Sequence, residues 1–187
     1  MPLHKVIYLS NNTKLYLWKI TENLESLSKD VRLKDSTIQR LKSMKSESHK
    51  KGFMAVRKLL EHIDYNDFDL FYDAFGKPHL EVEGQKSKDK IFEREIKKYI
   101  SISHSHDFSC ICISNKPVGI DIEKQRDKIL RIAHKFTKTD DYQSLNHQDS
   151  MIRKLTIVWC AKESLYKSFN RVGLTFLNHQ NNHYDSY

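Results

Sequence analysis

The chain has 187 residues and only three cysteines, Cys110, Cys112 and Cys160. Three thiols do not make a disulfide framework, and no C-x-x-C spacing points to a zinc site. Cys110 and Cys112 alternate with Ile111 and Ile113, so both face one side of a strand, as buried thiols in a reducing cytosol would. No apolar run approaches the roughly 20 residues that a membrane span needs, and no signal peptide is recognisable. We expect a cytoplasmic protein with no membrane partner. No internal repeat, long arginine run or RNP-like aromatic motif is visible.

Acidic residues are in deficit. Thirty-two Lys and Arg stand against 24 Asp and Glu, a net charge of +8. Such a surface suits polyanions. The basic residues are spread along the chain, so nucleic acid is not the expected partner. Hydrophobic residues make up 39%, enough for a sizeable core in one compact domain or two small lobes.

Periodicity supplies the elements. Short strands are predicted near Lys5–Leu9 and Lys14–Trp18, with a turn at Asn11-Asn12. Helices are predicted over Ser36–Met44 and Lys51–Ile63. Lys50, Lys51, Arg57 and Lys58 would give the second helix a basic flank. A hairpin over Asp69–Val82 turns at Gly76-Lys77-Pro78, and a charged stretch follows over Gln85–Lys98. Strand-like runs come next, Tyr99–Ser103, Phe108–Ser114 and Val118–Glu123. A helix free of Gly and Pro covers Ser150–Phe169.

Three of these segments carry chemistry. In a strand, Asp121 and Glu123 project to one face, while Ile120 and Ile122 point into a core. Two adjacent carboxylates repel unless a cation or proton lies between them, although a D-x-E pair alone is more often a solvated edge. Glu163 and Lys167 share a helical face one turn apart, and Trp159 lies a turn earlier. They are either a surface ion pair or a third oxygen ligand backed by a phosphate-contacting lysine. His104, flanked by Ser103 and Ser105 at a strand end, is a candidate phosphate grip, though one of ten histidines.

In order, Ser103-His104-Ser105, Gly119-Ile120-Asp121-Ile122-Glu123 and Trp159 to Lys167 resemble the signature segments of the Sfp-type 4′-phosphopantetheinyl transferases. Phe136-Thr137-Lys138-Thr139-Asp140 and Gly76-Lys77-Pro78 match two weaker motifs. The likeness runs from about Lys50 to Thr175. It implies an α+β fold of two similar lobes: an N-terminal lobe over 1–100, a C-terminal lobe with the metal site over 101–177, and a polar tail over 178–187. The activity implied is Mg²⁺-dependent transfer of 4′-phosphopantetheine from coenzyme A to a serine of an acyl or peptidyl carrier protein, releasing 3′,5′-ADP.

By the same resemblance Asp121, Glu123 and Glu163 hold Mg²⁺, and Lys167 stabilises charge on the pyrophosphate. Glu163 or Asp140 assists deprotonation of the serine. His104, Ser103, Lys77, Arg57 and Lys162 contact coenzyme A. Two departures stand out. The family has a second arginine one turn before the position of Arg57, where this chain has Phe53. The family also continues well past the last helix, whereas a polar tail follows here, so the second lobe is expected to be shortened. Two other readings are an inactive relative that binds coenzyme A or a carrier protein, and a basic nucleic-acid-binding protein with structural carboxylates.

Overall fold

A computed structural model of the chain describes residues 3–81, 98–138 and 147–169. Two antiparallel hairpins pair to make the centre of its sheet. Strands β1 (Leu3–Ser10) and β2 (Thr13–Lys19) turn at Asn11-Asn12. β5 (Tyr99–Ser105) and β6 (Phe108–Ser114) turn at His106-Asp107. β2 pairs β6 over its full length, from Thr13 opposite Ser114 to Lys19 opposite Phe108. The short strands β3 (Leu70–Tyr72) and β4 (Pro78–Leu80) join β5 through His79 opposite Tyr99. The order is β1-β2-β6-β5-β4-β3, all antiparallel. The boundary expected at residue 100 falls inside β5.

The sheet is two-faced because side chains alternate. Trp18, Ile100 and Ile111 lie on one face and pack against Phe53, Met54, Val56, Leu59 and Leu60 of α3 (Glu47–His62). Leu27 of α1 (Leu24–Ser28) closes this core, with α2 (Asp35–Ser43) at its side. Each such side chain removed from water stabilises the fold by about 1.5–3 kcal/mol. α3 starts four residues earlier than periodicity alone suggests. Ser46 caps it by accepting the His49 N–H at 3.3 Å, and Glu47 complements the helix dipole.

The opposite face carries small residues, with Ser101 opposite Cys112 and Ser103 opposite Cys110. Both thiols are buried, as their alternation predicts. A second, smaller cluster lies beyond the sheet. Ala133 and Phe136 follow α4 (Lys128–Ile132) and meet Leu155 of α5 (Gln148–Phe169). Trp159 stands edge-on to Phe136, ring centres 5.1 Å apart.

The run Val118–Glu123 makes no strand ladder, contrary to expectation. Ile120 and Ile122 are half-buried and belong to neither core. The fold is α+β, with one sheet among the described residues. Asp140, the tail over 178–187 and most of the charged stretch over Gln85–Lys98 lie outside those residues.

Gly119 fixes where α5 sits. A Cβ at this position would lie 1.8 Å from the Ser164 carbonyl oxygen and 2.7 Å from the Ser168 nitrogen, a backbone-on-backbone clash. Gly119→Ala is therefore expected to lower the unfolding free energy by about 3 kcal/mol or more in urea titrations. A loss below about 1 kcal/mol would mean that α5 does not rest on this segment.

Candidate functional site

A cleft of about 370 Å³ opens between α3, the β3–β4 turn, β5 and the last turn of α5. Its acidic end is built on β5. Ser101, Ser103 and Ser105 share one face of the strand. Their hydroxyl oxygens accept the N–H groups of Ile120 at 3.0 Å, Ile122 at 3.2 Å and Lys124 at 3.2 Å. Ser103 donates to Asp121 Oδ1 and Ser105 to Glu123 Oε2, each at 2.8 Å. Asp121 and Glu123 therefore project together, as the i, i+2 reading requires, although their segment is not a strand.

Lys167 reaches the same point from α5. Its ammonium lies 2.7 Å from Asp121 Oδ1, 3.1 Å from the Ile120 carbonyl oxygen and 3.3 Å from Ser103 Oγ. The Asp121 side chain is only 6% exposed. Its other oxygen, Oδ2, is buried without a hydrogen-bond partner. One turn before Lys167, Glu163 is half-buried. Burial and then the Asp121 charge raise its carboxyl above the usual range, with Lys167 opposing and Glu123 adding to the rise. Burial, followed by the Asp121 charge, pushes the Cys160 thiol up to about 12. Burial likewise holds Cys110 at about 12 and Cys112 at about 11. These thiols stay protonated and inert at neutral pH.

Three carboxylates are the donor type that Mg²⁺ prefers, and Asp121 Oδ2, which meets no N–H or O–H donor, fits such a cation. Among the described residues, no three His, Cys, Asp or Glu side chains converge closely enough to enclose a metal. The donors fit in kind, and Lys167 holds the position beside Asp121 Oδ1.

The remaining walls set basic groups among apolar ones. His104 lies on the α3 face of β5, where Gly52 leaves room for its ring: a Cβ there would be 3.2 Å from it. The His49 ring lies 5.1 Å from that of His104. Lys77 enters from a tight turn in which Asp73 Oδ1 accepts the Phe75 and Lys77 N–H groups. Gly76 supplies a φ of 80° at this turn. The Lys77 ammonium donates to the Ser168 carbonyl at 3.0 Å, joining the turn to α5.

Three residues named from the resemblance are otherwise engaged. Arg57 lines the cleft but is buried: its Nε donates to Asp67 at 3.1 Å and its guanidinium lies 3.6 Å from the Phe53 ring centre. The Ser103 hydroxyl is committed to three protein partners. Lys162 is buried away from the cleft and donates to the Phe136 carbonyl at 2.6 Å.

Two cleft residues escaped the motif reading. Arg40 comes from α2 and lies 5.4 Å from the Phe53 ring and 5.6 Å from the Tyr72 ring. It brings a cation to the place where Phe53 stands instead of an arginine. His49 was hidden in the capped first turn of α3. Neither lies in a signature segment, so only the packing of α2 and α3 reveals them.

Burial lowers the His104 imidazole below its ordinary value of 6.5, and His49 and Lys167 lower it further. A base with a depressed folded value contributes stability above 6.5 that is lost as pH falls through the lower folded value. Ring-proton NMR is expected to show His104 titrating below 6.5, and His49→Ala should raise that midpoint. An unmoved midpoint would leave burial and the other cations as its cause.

Residues 117–185 match the family model of the 4′-phosphopantetheinyl transferase superfamily. The 4′-phosphopantetheinyl transferase gsp of Aneurinibacillus migulanus is 35% identical over 125 residues, which cover 64% of this chain and 47% of that protein. A 4′-phosphopantetheinyl transferase of Bacillus subtilis is 34% identical over 71 residues, 37% of this chain and 32% of that protein. A second, ffp, is 27% identical over 130 residues, 66% of this chain and 53% of that protein. The chain thus spans 32% to 53% of these three relatives. The resemblance first carried by three short motifs is borne out: over residues 117–185 the chain matches the 4′-phosphopantetheinyl transferase superfamily, and the relatives to which it is similar are transferases by name.

Proposed function

We propose that this protein transfers the 4′-phosphopantetheine group of coenzyme A to a serine of an acyl or peptidyl carrier protein in the cytoplasm, releasing 3′,5′-ADP. What supports it most is the pairing of Asp121 and Glu123, beside Glu163 and Lys167, at the acidic end of a cleft whose other walls carry basic groups. The same reading includes the two-lobed arrangement, with lobes over 1–100 and 101–177.

Asp121, Glu123 and Glu163 would hold Mg²⁺. When bound, the ion would neutralise pyrophosphate charge and align the donor for in-line attack. The chain's own groups do the rest. Lys77, His104 and Arg40 line the walls that would receive phosphate groups. Lys167, on the boundary between acid and base, would stabilise charge that develops on the phosphate of the leaving 3′,5′-ADP as the pyrophosphate bond breaks. Glu163 or Asp140 would take the proton of the attacking serine.

The direct test is the intact mass of an apo carrier protein incubated with this protein, coenzyme A and Mg²⁺. A gain of one phosphopantetheine that EDTA abolishes is expected. Asp121→Ala should remove activity, and near-normal transfer in that variant would sink the metal assignment. Lys167→Ala should lower kcat by about 10²–10³-fold while coenzyme A affinity changes little. A change confined to KM would make Lys167 a binding residue only. Coenzyme A binding without transfer to any carrier would select the inactive relative instead.

A further inference from the structure

We infer that the serine row of β5 is the device that holds and aims the acidic segment, with Ser103 positioning Asp121 and Ser105 positioning Glu123. The two hydroxyls of Ser-His-Ser then serve carboxylates, and the histidine between them is left to meet a ligand in the cleft. The purpose this gives Glu123, holding a divalent cation, rests on the function proposed above. The hydrogen-bonded row does not.

The regularity of the contacts carries the inference. Each serine accepts the N–H of the residue nineteen positions later, at every second residue of both segments. Two of the three send their proton to the carboxylate eighteen positions later. At the third rung, Ser101, that position is Gly119, which has no side chain to receive a proton and is covered by the α5 backbone. Because Val118–Glu123 makes no strand ladder, these side-chain bonds replace the backbone bonds a strand would have.

Hydroxyl arithmetic excludes a second duty. A serine has one proton to donate and two lone pairs that accept. Ser103 gives its proton to Asp121 and accepts from Ile122 N–H and the Lys167 ammonium, so nothing remains for a phosphate oxygen. Ser105 keeps one lone pair, which an anion cannot use, and its proton is on Glu123. A hydroxyl-to-carboxylate bond fixes the carboxylate's rotamer, as outer-shell partners do at metal sites.

The test compares the unaltered 187-residue chain with Ser105→Ala and Ser105→Thr, at the exposed end of the row where folding is least at stake. Three quantities are read: amide exchange at Lys124, Mn²⁺ affinity by electron paramagnetic resonance with coenzyme A present, and coenzyme A affinity without metal by calorimetry. Ser105→Ala should exchange Lys124 about 10-fold faster and bind Mn²⁺ about 10-fold more weakly, with metal-free coenzyme A affinity unchanged. Ser105→Thr should restore both. Loss of metal-free coenzyme A affinity with unaltered Lys124 exchange would make Ser105 a phosphate contact and overturn the inference. Wild-type Mn²⁺ and exchange behaviour in Ser105→Ala would overturn it as well. If the unaltered protein binds no Mn²⁺, the metal reading of the proposed function fails, and the exchange rates alone decide the row.

Discussion

The contact between Lys167 and Asp121 is the constraint on which the site depends. The cleft-facing turn of α5 is tied to the sheet side of the molecule through the acidic segment: the Lys167 ammonium bridges Asp121, the Ile120 carbonyl and Ser103, while Gly119 lets the two backbones touch. Asp121 is buried with one oxygen unpaired, so its charge is tolerable only beside a cation. A lysine supplies that cation from within the chain. The two elements that carry the proposed site are thereby joined by residues assigned to it.

The same contact divides the cleft electrically. On one side lie Asp121 and Glu123, close enough to Glu163 to raise its carboxyl. On the other lie Arg40, His49, Lys77 and His104. The lowered basicity of His104 reports crowding by like charge as well as burial. A polyanion entering the cleft would relieve that crowding, whereas a hard cation at the far end would relieve the repulsion among the carboxylates. The two ligands would favour each other's binding because each neutralises the charge left by the other, which is the arrangement a metal-bound pyrophosphate requires.

Much of this was legible in the residues, and the exceptions have identifiable physical causes. Alternation located β5 and β6 and put Cys110 and Cys112 on one buried face. Helical spacing put Glu163 and Lys167 together. Alternation also called Val118–Glu123 a strand and correctly set Asp121 beside Glu123, but it could not show that hydroxyls would replace the ladder. That depended on Ser101, Ser103 and Ser105, whose period matches the segment they hold. Arg40 and His49 were out of reach, because their role comes from how α2 and α3 pack and not from local pattern.

Lys162 and Arg57 show how packing engages residues that the motifs assign to a ligand. Lys162 is adjacent to Glu163, so it lies about 100° around the helix from it. It falls instead on the side of Leu155 and Trp159, seven and three residues earlier, and its ammonium caps the Phe136 carbonyl in the smaller core. Arg57 is claimed by Asp67 and by the Phe53 ring, two residues that share its surroundings. With Phe53 where a second arginine is expected, the guanidinium left to face the cleft is Arg40, brought by a different helix. A position can keep its charge type while the duty passes to a neighbour, since an anion reads the field at the cleft wall and not the element that supplies it.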